Sequence, residues 1–181
     1  MFLFWLMACT ESEKPQDTTA PSESVSCADR TPSLIIGTGE FEWQDLADGD
    51  SLVMVHGPQG GWHLLGSILL QNTADIVEVE FLVTDIASNV VISSNFYRIK
   101  LLDGGECAGV YPGMYGYINV TPLQDGELDT PPELLGGNLL RIDMRANDCS
   151  EADDLYGECQ RSQRWTSSSV EIIAELDPID Q

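Results

Sequence analysis

Apolar and polar residues alternate singly along several stretches of this chain, most cleanly over residues 76–84, I-V-E-V-E-F-L-V-T. Val77, Val79, Phe81 and Val83 fall on one side of an extended backbone, with Glu78 and Glu80 on the other. That two-residue period is the signature of a half-buried strand. Residues 139–146 repeat it, with Leu140, Ile142 and Met144 inward and Arg141, Asp143 and Arg145 in water. Residues 90–93, 96–102 (Arg98 and Lys100 outward), 111–120 and 170–176 read as further strands, while 51–57 and Trp62–Gln71 flank a Pro58-Gln59-Gly60-Gly61 turn. No window sustains a 3.6-residue period, and β-branched and aromatic residues hold most apolar positions. Seven to nine short strands broken by Gly, Pro and Asp predict an all-β domain over residues 33–178. The expected architecture is an antiparallel β-sandwich, immunoglobulin-like, with a small closed β-barrel as the alternative. Residues 123–137 are expected to be a loop crossing one end. The acidic outer faces leave no continuous lipid-facing band, which excludes a membrane barrel.

Composition sharpens this in one respect. The 181 residues suit one domain, and an apolar fraction of 43% supplies a core. Charge is the departure: 8 Lys+Arg against 30 Asp+Glu give −22. Such a surface repels phosphate backbones, so nucleic acid is excluded as a partner. Self-repulsion predicts a soluble, monomeric domain, and the same surface could collect cations.

The start of the chain, M-F-L-F-W-L-M-A-C-T, holds seven apolar residues before Cys9. A bilayer-spanning helix needs about 20, whereas a secretory h-region needs about 7–15. Leu6-Met7-Ala8-Cys9 resembles the lipobox of bacterial lipoproteins: a branched apolar residue, a tolerant position, a small residue, then cysteine. The resemblance implies cleavage before Cys9, with diacylglycerol on its sulfur and an acyl chain such as palmitate on its amine, enough for stable anchoring. Residues 1–8 are then a signal peptide, short and without a preceding Lys or Arg, so extension of the reading frame upstream is expected to restore a basic segment. Residues 9–32 form the lipidated Cys and a disordered tether, in keeping with their Ser, Thr, Glu and Pro content. In that family an Asp after the Cys retains the protein at the inner membrane. Thr10 stands here, which implies the outer membrane, on its periplasmic or surface face. The G-P-Q-G-G-x-H stretch at 57–63 also resembles uncharacterised extracytoplasmic lipoproteins and names no activity.

With Cys9 committed to lipid, Cys27, Cys107, Cys149 and Cys159 remain. An even number in an oxidising compartment predicts two disulfides out of three possible connectivities. The polar, turn-like S-E-A-D-D-L-Y-G-E between Cys149 and Cys159 favours bridging those two, leaving Cys27 for Cys107.

Candidate chemistry is sparse. A hairpin turn centred on Gln59-Gly60 would place His56 opposite His63 with Met54 on the same face, a ligand set that suits copper. A Gly60-Gly61 turn would instead set His56 opposite Leu65 and dissolve the group. The acidic loop with Asp148, Glu151, Asp153, Asp154 and Glu158 offers oxygens for calcium, without EF-hand spacing. Tyr115 and Tyr117 share a strand face that could meet a sugar or a partner chain. No nucleophile elbow, zinc motif or phosphate loop is present. The expectation is a non-catalytic structural or binding module of the cell envelope, without cofactor, its partner an envelope protein or glycan. A copper- or calcium-handling module is the alternative, and an unrecognised hydrolase the second alternative.

Overall fold

The structure, a computed structural model, describes residues 26–57, 60–124, 130–149, 155–157, 159 and 164–177. Its strands are β1 (Ser33–Thr38), β2 (Gln44–Asp45), β3 (Ser51–His56), β4 (Trp62–Gln71), β5 (Ile76–Asp85), β6 (Val90–Lys100), β7 (Leu102–Asp103), β8 (Ala108–Ile118), β9 (Leu139–Asp148) and β10 (Trp165–Leu176). One short helix, α1 (Pro131–Leu135), and 3-10 turns at Cys27–Asp29 and Thr121–Leu123 complete the described elements. Among the described residues no helix is long and apolar enough to cross a membrane.

All ten strands belong to one sheet, ordered β2-β1-β4-β3-β10-β9-β5-β6, with β8 beside β4 and β7 beside β8. The chain is mostly β, as the alternation predicts, but the sheet is mixed and continuous rather than an antiparallel sandwich. β3 pairs with β4 on one side and runs parallel to β10 on the other, from Ser51↔Ile173 to Met54↔Leu176. That crossing joins two halves, β1-β4-β8 and β10-β9-β5-β6, into one curled surface. Parallel pairing of segments so far apart leaves no turn signal in the sequence. The barrel does not close either. β6 and β8 approach through Asn119 N–H to the Ile92 carbonyl (2.7 Å), Tyr117 N–H to Asn95 Oδ1 (3.1 Å) and the Tyr97 hydroxyl to the Tyr115 carbonyl, without a regular ladder.

The core lies between the two halves. Val77, Val79, Phe81 and Val83 of β5 and Leu140, Ile142 and Met144 of β9 are buried, the inward sets that the alternation predicts. Phe81 reaches across to the facing half, where two glycines make room for its ring. A Cβ on Gly66 would lie 2.6 Å from Phe81 Cε1, and one on Gly116 2.9 Å from its Cζ. β6 runs unbroken through Ser94 and Asn95, where the sequence suggested two strands. Within residues 123–137, Pro131–Leu135 is helical. Thr130 and Glu133 form a capping box, and buried Leu135 ties the turn to the core.

Candidate functional site

The histidine hairpin takes neither of the two expected registers. Val55 pairs with His63, and His56 with Trp62. Gly57 N–H donates to the Gly61 carbonyl (2.9 Å) and Gly60 N–H to the Gly57 carbonyl (3.0 Å), with Gly60 and Gly61 at φ +82° and +89°. Only glycine adopts those angles without strain. The loop is one residue longer than a turn centred on Gln59-Gly60 allows, and a one-residue slip sends a side chain to the opposite face of the sheet. Met54 is consequently wholly buried in the core, His56 stacks on Trp62 (ring centroids 4.8 Å apart), and His63 faces the other way. The copper set of Met54, His56 and His63 is not assembled.

His63 instead joins the tyrosines. It lies edge-on to Tyr115 at 4.7 Å and to Tyr117 at 6.1 Å, and those two rings stack at 6.0 Å. Residues 39–43 cross this face. The Ser67 hydroxyl and Gly113 N–H both donate to the Gly39 carbonyl, at 3.1 and 3.0 Å, and the Thr38 hydroxyl donates to that of Leu65 at 2.8 Å. Burial lowers the His63 pKa from its ordinary 6.5. The carboxylate of Glu40 pulls it back upward, and nearby His56 depresses it further. A buried imidazole between tyrosine rings can hydrogen-bond, but the described residues bring it no second metal ligand.

Of the calcium set, Glu151, Asp153, Asp154 and Glu158 lie outside the described residues. Asp148 is buried and already engaged: it accepts from Ala74 N–H at 3.1 Å and pairs with Arg164 Nη1 at 3.2 Å. Arg164 also donates to the carbonyls of Asn72 (2.5 Å) and Arg30 (3.1 Å). These bonds make Asp148 the centre of a structural clasp rather than a free calcium ligand. Glu78, expected in water, is buried too, held by Arg98 at 2.7 Å while Arg98 donates to the Gly157 carbonyl at 2.6 Å. Glu78, Cys149 and Cys159 also lie together, but both sulfurs are consumed in a disulfide.

Cys149 bridges to Cys159 and Cys27 to Cys107, with Cα atoms 5.0 and 5.5 Å apart. The second bridge fixes the 3-10 turn Cys27–Asp29, inside the segment read as tether, against the start of β8. Beside it is a hollow of about 550 Å3 whose lining includes the carboxylates of Asp75 and Asp103, without a histidine. Two disulfides in a β-rich domain are the covalent pattern of an extracytoplasmic protein.

No family model matches the chain, and no curated protein does. Among solved structures, the CooA pilin subunit from enterotoxigenic Escherichia coli overlays it with a TM-score of 0.36 at 10% identity, covering 82% of this chain and 100% of that one. At that level of similarity the two courses differ too much for anything about this chain to follow.

Proposed function

We propose that this protein is a lipid-anchored, non-catalytic binding or structural module of the bacterial cell envelope, held at the outer membrane through Cys9. One observation carries the reading: four of the five cysteines pair off in the folded domain. The odd one, Cys9, stands in the lipobox-like Leu6-Met7-Ala8-Cys9. The two histidines point to opposite faces of the sheet, and in this reading the domain binds or supports rather than reacts. The membrane is then the first partner, and an envelope protein or glycan the second.

The test is metabolic labelling with radioactive or clickable palmitate in a bacterial host, followed by membrane fractionation. The parent chain should incorporate label and sediment with outer membranes. Cys9→Ala should lose both label and sedimentation while keeping two disulfides. A Cys9→Ala chain that fractionates as the parent does would overturn the anchor.

A further inference from the structure

The outer face of β10, β9 and β5 carries a groove of about 310 Å3, and we propose that it binds an uncharged saccharide. Its lining includes Glu80, Leu82, Asp143, Arg145, Ser167 and Ser169. Register places these side chains in two neighbouring cross-strand rows, Ser167–Arg145–Glu80 and Ser169–Asp143–Leu82. The next row begins with Trp165, whose half-exposed ring lies 4.6 Å from the Arg145 guanidinium carbon. The groove therefore has a hydroxyl-rich wall and a charged floor, and an aromatic ring stands in the row just beyond its lining.

What is unspent there selects the ligand. Arg145 and Glu80 stand directly opposite each other and make no ion pair, and neither Ser167 nor Ser169 uses its hydroxyl in a side-chain hydrogen bond among the described residues. Vicinal sugar hydroxyls donate and accept at once, so they match a carboxylate, a guanidinium and two hydroxyls within one site. The C–H face of a pyranose matches a half-exposed aromatic ring whose other contact is a guanidinium. Small-molecule sites begin at about 300 Å3, so the groove has room for a short segment rather than a long chain in depth.

Charge excludes the competing occupants. Four of the eight basic residues, Arg98, Lys100, Arg141 and Arg145, share this outer face with Glu78, Glu80, Asp143, Glu171 and Glu175. Among the described residues the face is close to neutral on a chain of −22. A polyanion meets a repulsive field on approach, and a cationic partner is drawn to the acidic remainder of the surface. An uncharged, hydroxyl-rich ligand is indifferent to both.

The site stands independently of the lipid anchor, so its failure leaves that reading intact. The experiment titrates the full chain with soluble oligomers of glucose, mannose and N-acetylglucosamine, and with uronic-acid oligomers of the same length, by calorimetry. At least one neutral set should bind. Trp165→Ala should weaken it about tenfold, and Ser169→Trp, which fills the groove without removing a contact from the core, should abolish it. Tyr117→Ala, on the other half of the sheet, should leave it unchanged. Binding by none of the neutral sets overturns the proposal. So does equal or tighter binding of the uronates, or unaltered affinity in Ser169→Trp with the thermal midpoint of the parent.

Discussion

β4 and β9 are each flanked on both sides within their half, yet β4 has no charged residue and β9 has four, Arg141, Asp143, Arg145 and Asp148. Both strands put Leu, Ile or Met on the core. They differ in what lies over the second face. Gly39 takes the hydroxyl of buried Ser67, and Tyr115 and Tyr117 lie against buried His63, so a charge at those positions would be stranded away from water. Nothing among the described residues lies over β9 in that way, and its outward side chains meet solvent, one another or a neighbouring strand: Arg141 pairs with Asp143 at 2.9 Å and Arg145 lies on the Trp165 ring. Centrality in a sheet therefore does not set polarity. The covering of the outer face does.

The interlock of the halves is the most sensitive point of this contrast. Phe81→Ala should cost about 3–5 kcal/mol, since it removes a wholly buried ring and leaves a cavity against Gly66 and Gly116. Denaturant unfolding measures it, and a loss under about 1 kcal/mol would mean that the halves do not rely on that contact.

The charged half has its own anchor in Asp148. Asp148→Ala leaves Arg164 and the Ala74 N–H without their carboxylate and should cost about 2–3 kcal/mol. Arg141→Ala on the same strand loses a pair open to water and should leave the unfolding midpoint close to that of the parent. Equal effects from the two would erase the distinction between clasp and surface pair.

Where the halves nearly meet, Tyr97→Phe removes the hydroxyl that the Tyr115 carbonyl accepts, at about 1 kcal/mol. Hydrogen exchange should then speed up at the Tyr117 and Asn119 amides while the β5–β9 ladder stays protected. Unchanged protection at both amides would show the approach to be held by packing alone.

The smallest effect belongs to the covered histidine. With its folded pKa below the ordinary 6.5, His63 resists a proton that the unfolded chain accepts. The stability this provides is complete above 6.5 and is lost as pH falls through the lower folded value. His63→Gln should flatten the pH dependence of the urea midpoint in that window, and an identical slope in both proteins would assign it to the carboxylates instead.

Much of the uncovered half was legible in the sequence. Residues 76–84 and 139–146 alternate because one face meets the core and the other meets water or a polar partner, and their inward sets are buried as predicted. Even there Glu78 misled, since alternation cannot show that Arg98, directly opposite on the neighbouring strand, will enclose a carboxylate. The covered half was legible only as strand. W-H-L-L-G-S-I-L-L-Q has no polar side to orient it, and nothing local announces that residues 39–43 lie across it. The histidine register failed for a related reason: loop length within a glycine-rich run is set by left-handed backbone at Gly60 and Gly61, which residue type permits but does not count. The groove escaped notice because its rows draw on three strands distant in sequence, and Trp165 precedes the stretch that alternation marks.

The parallel contact of β3 with β10 has a bearing on the order in which the chain can fold. Ser51 meets Ile173 only after every other strand has been synthesised, and no local hairpin brings the two together. Until β10 arrives, the exposed margins of β3 and β9 are available to any neighbouring chain. Closing so long a loop slows the search for the native pairing. The interval of greatest hazard is therefore the one between completion of β9 and docking of β10, and a holdase that shields strand edges would act most strongly in that interval.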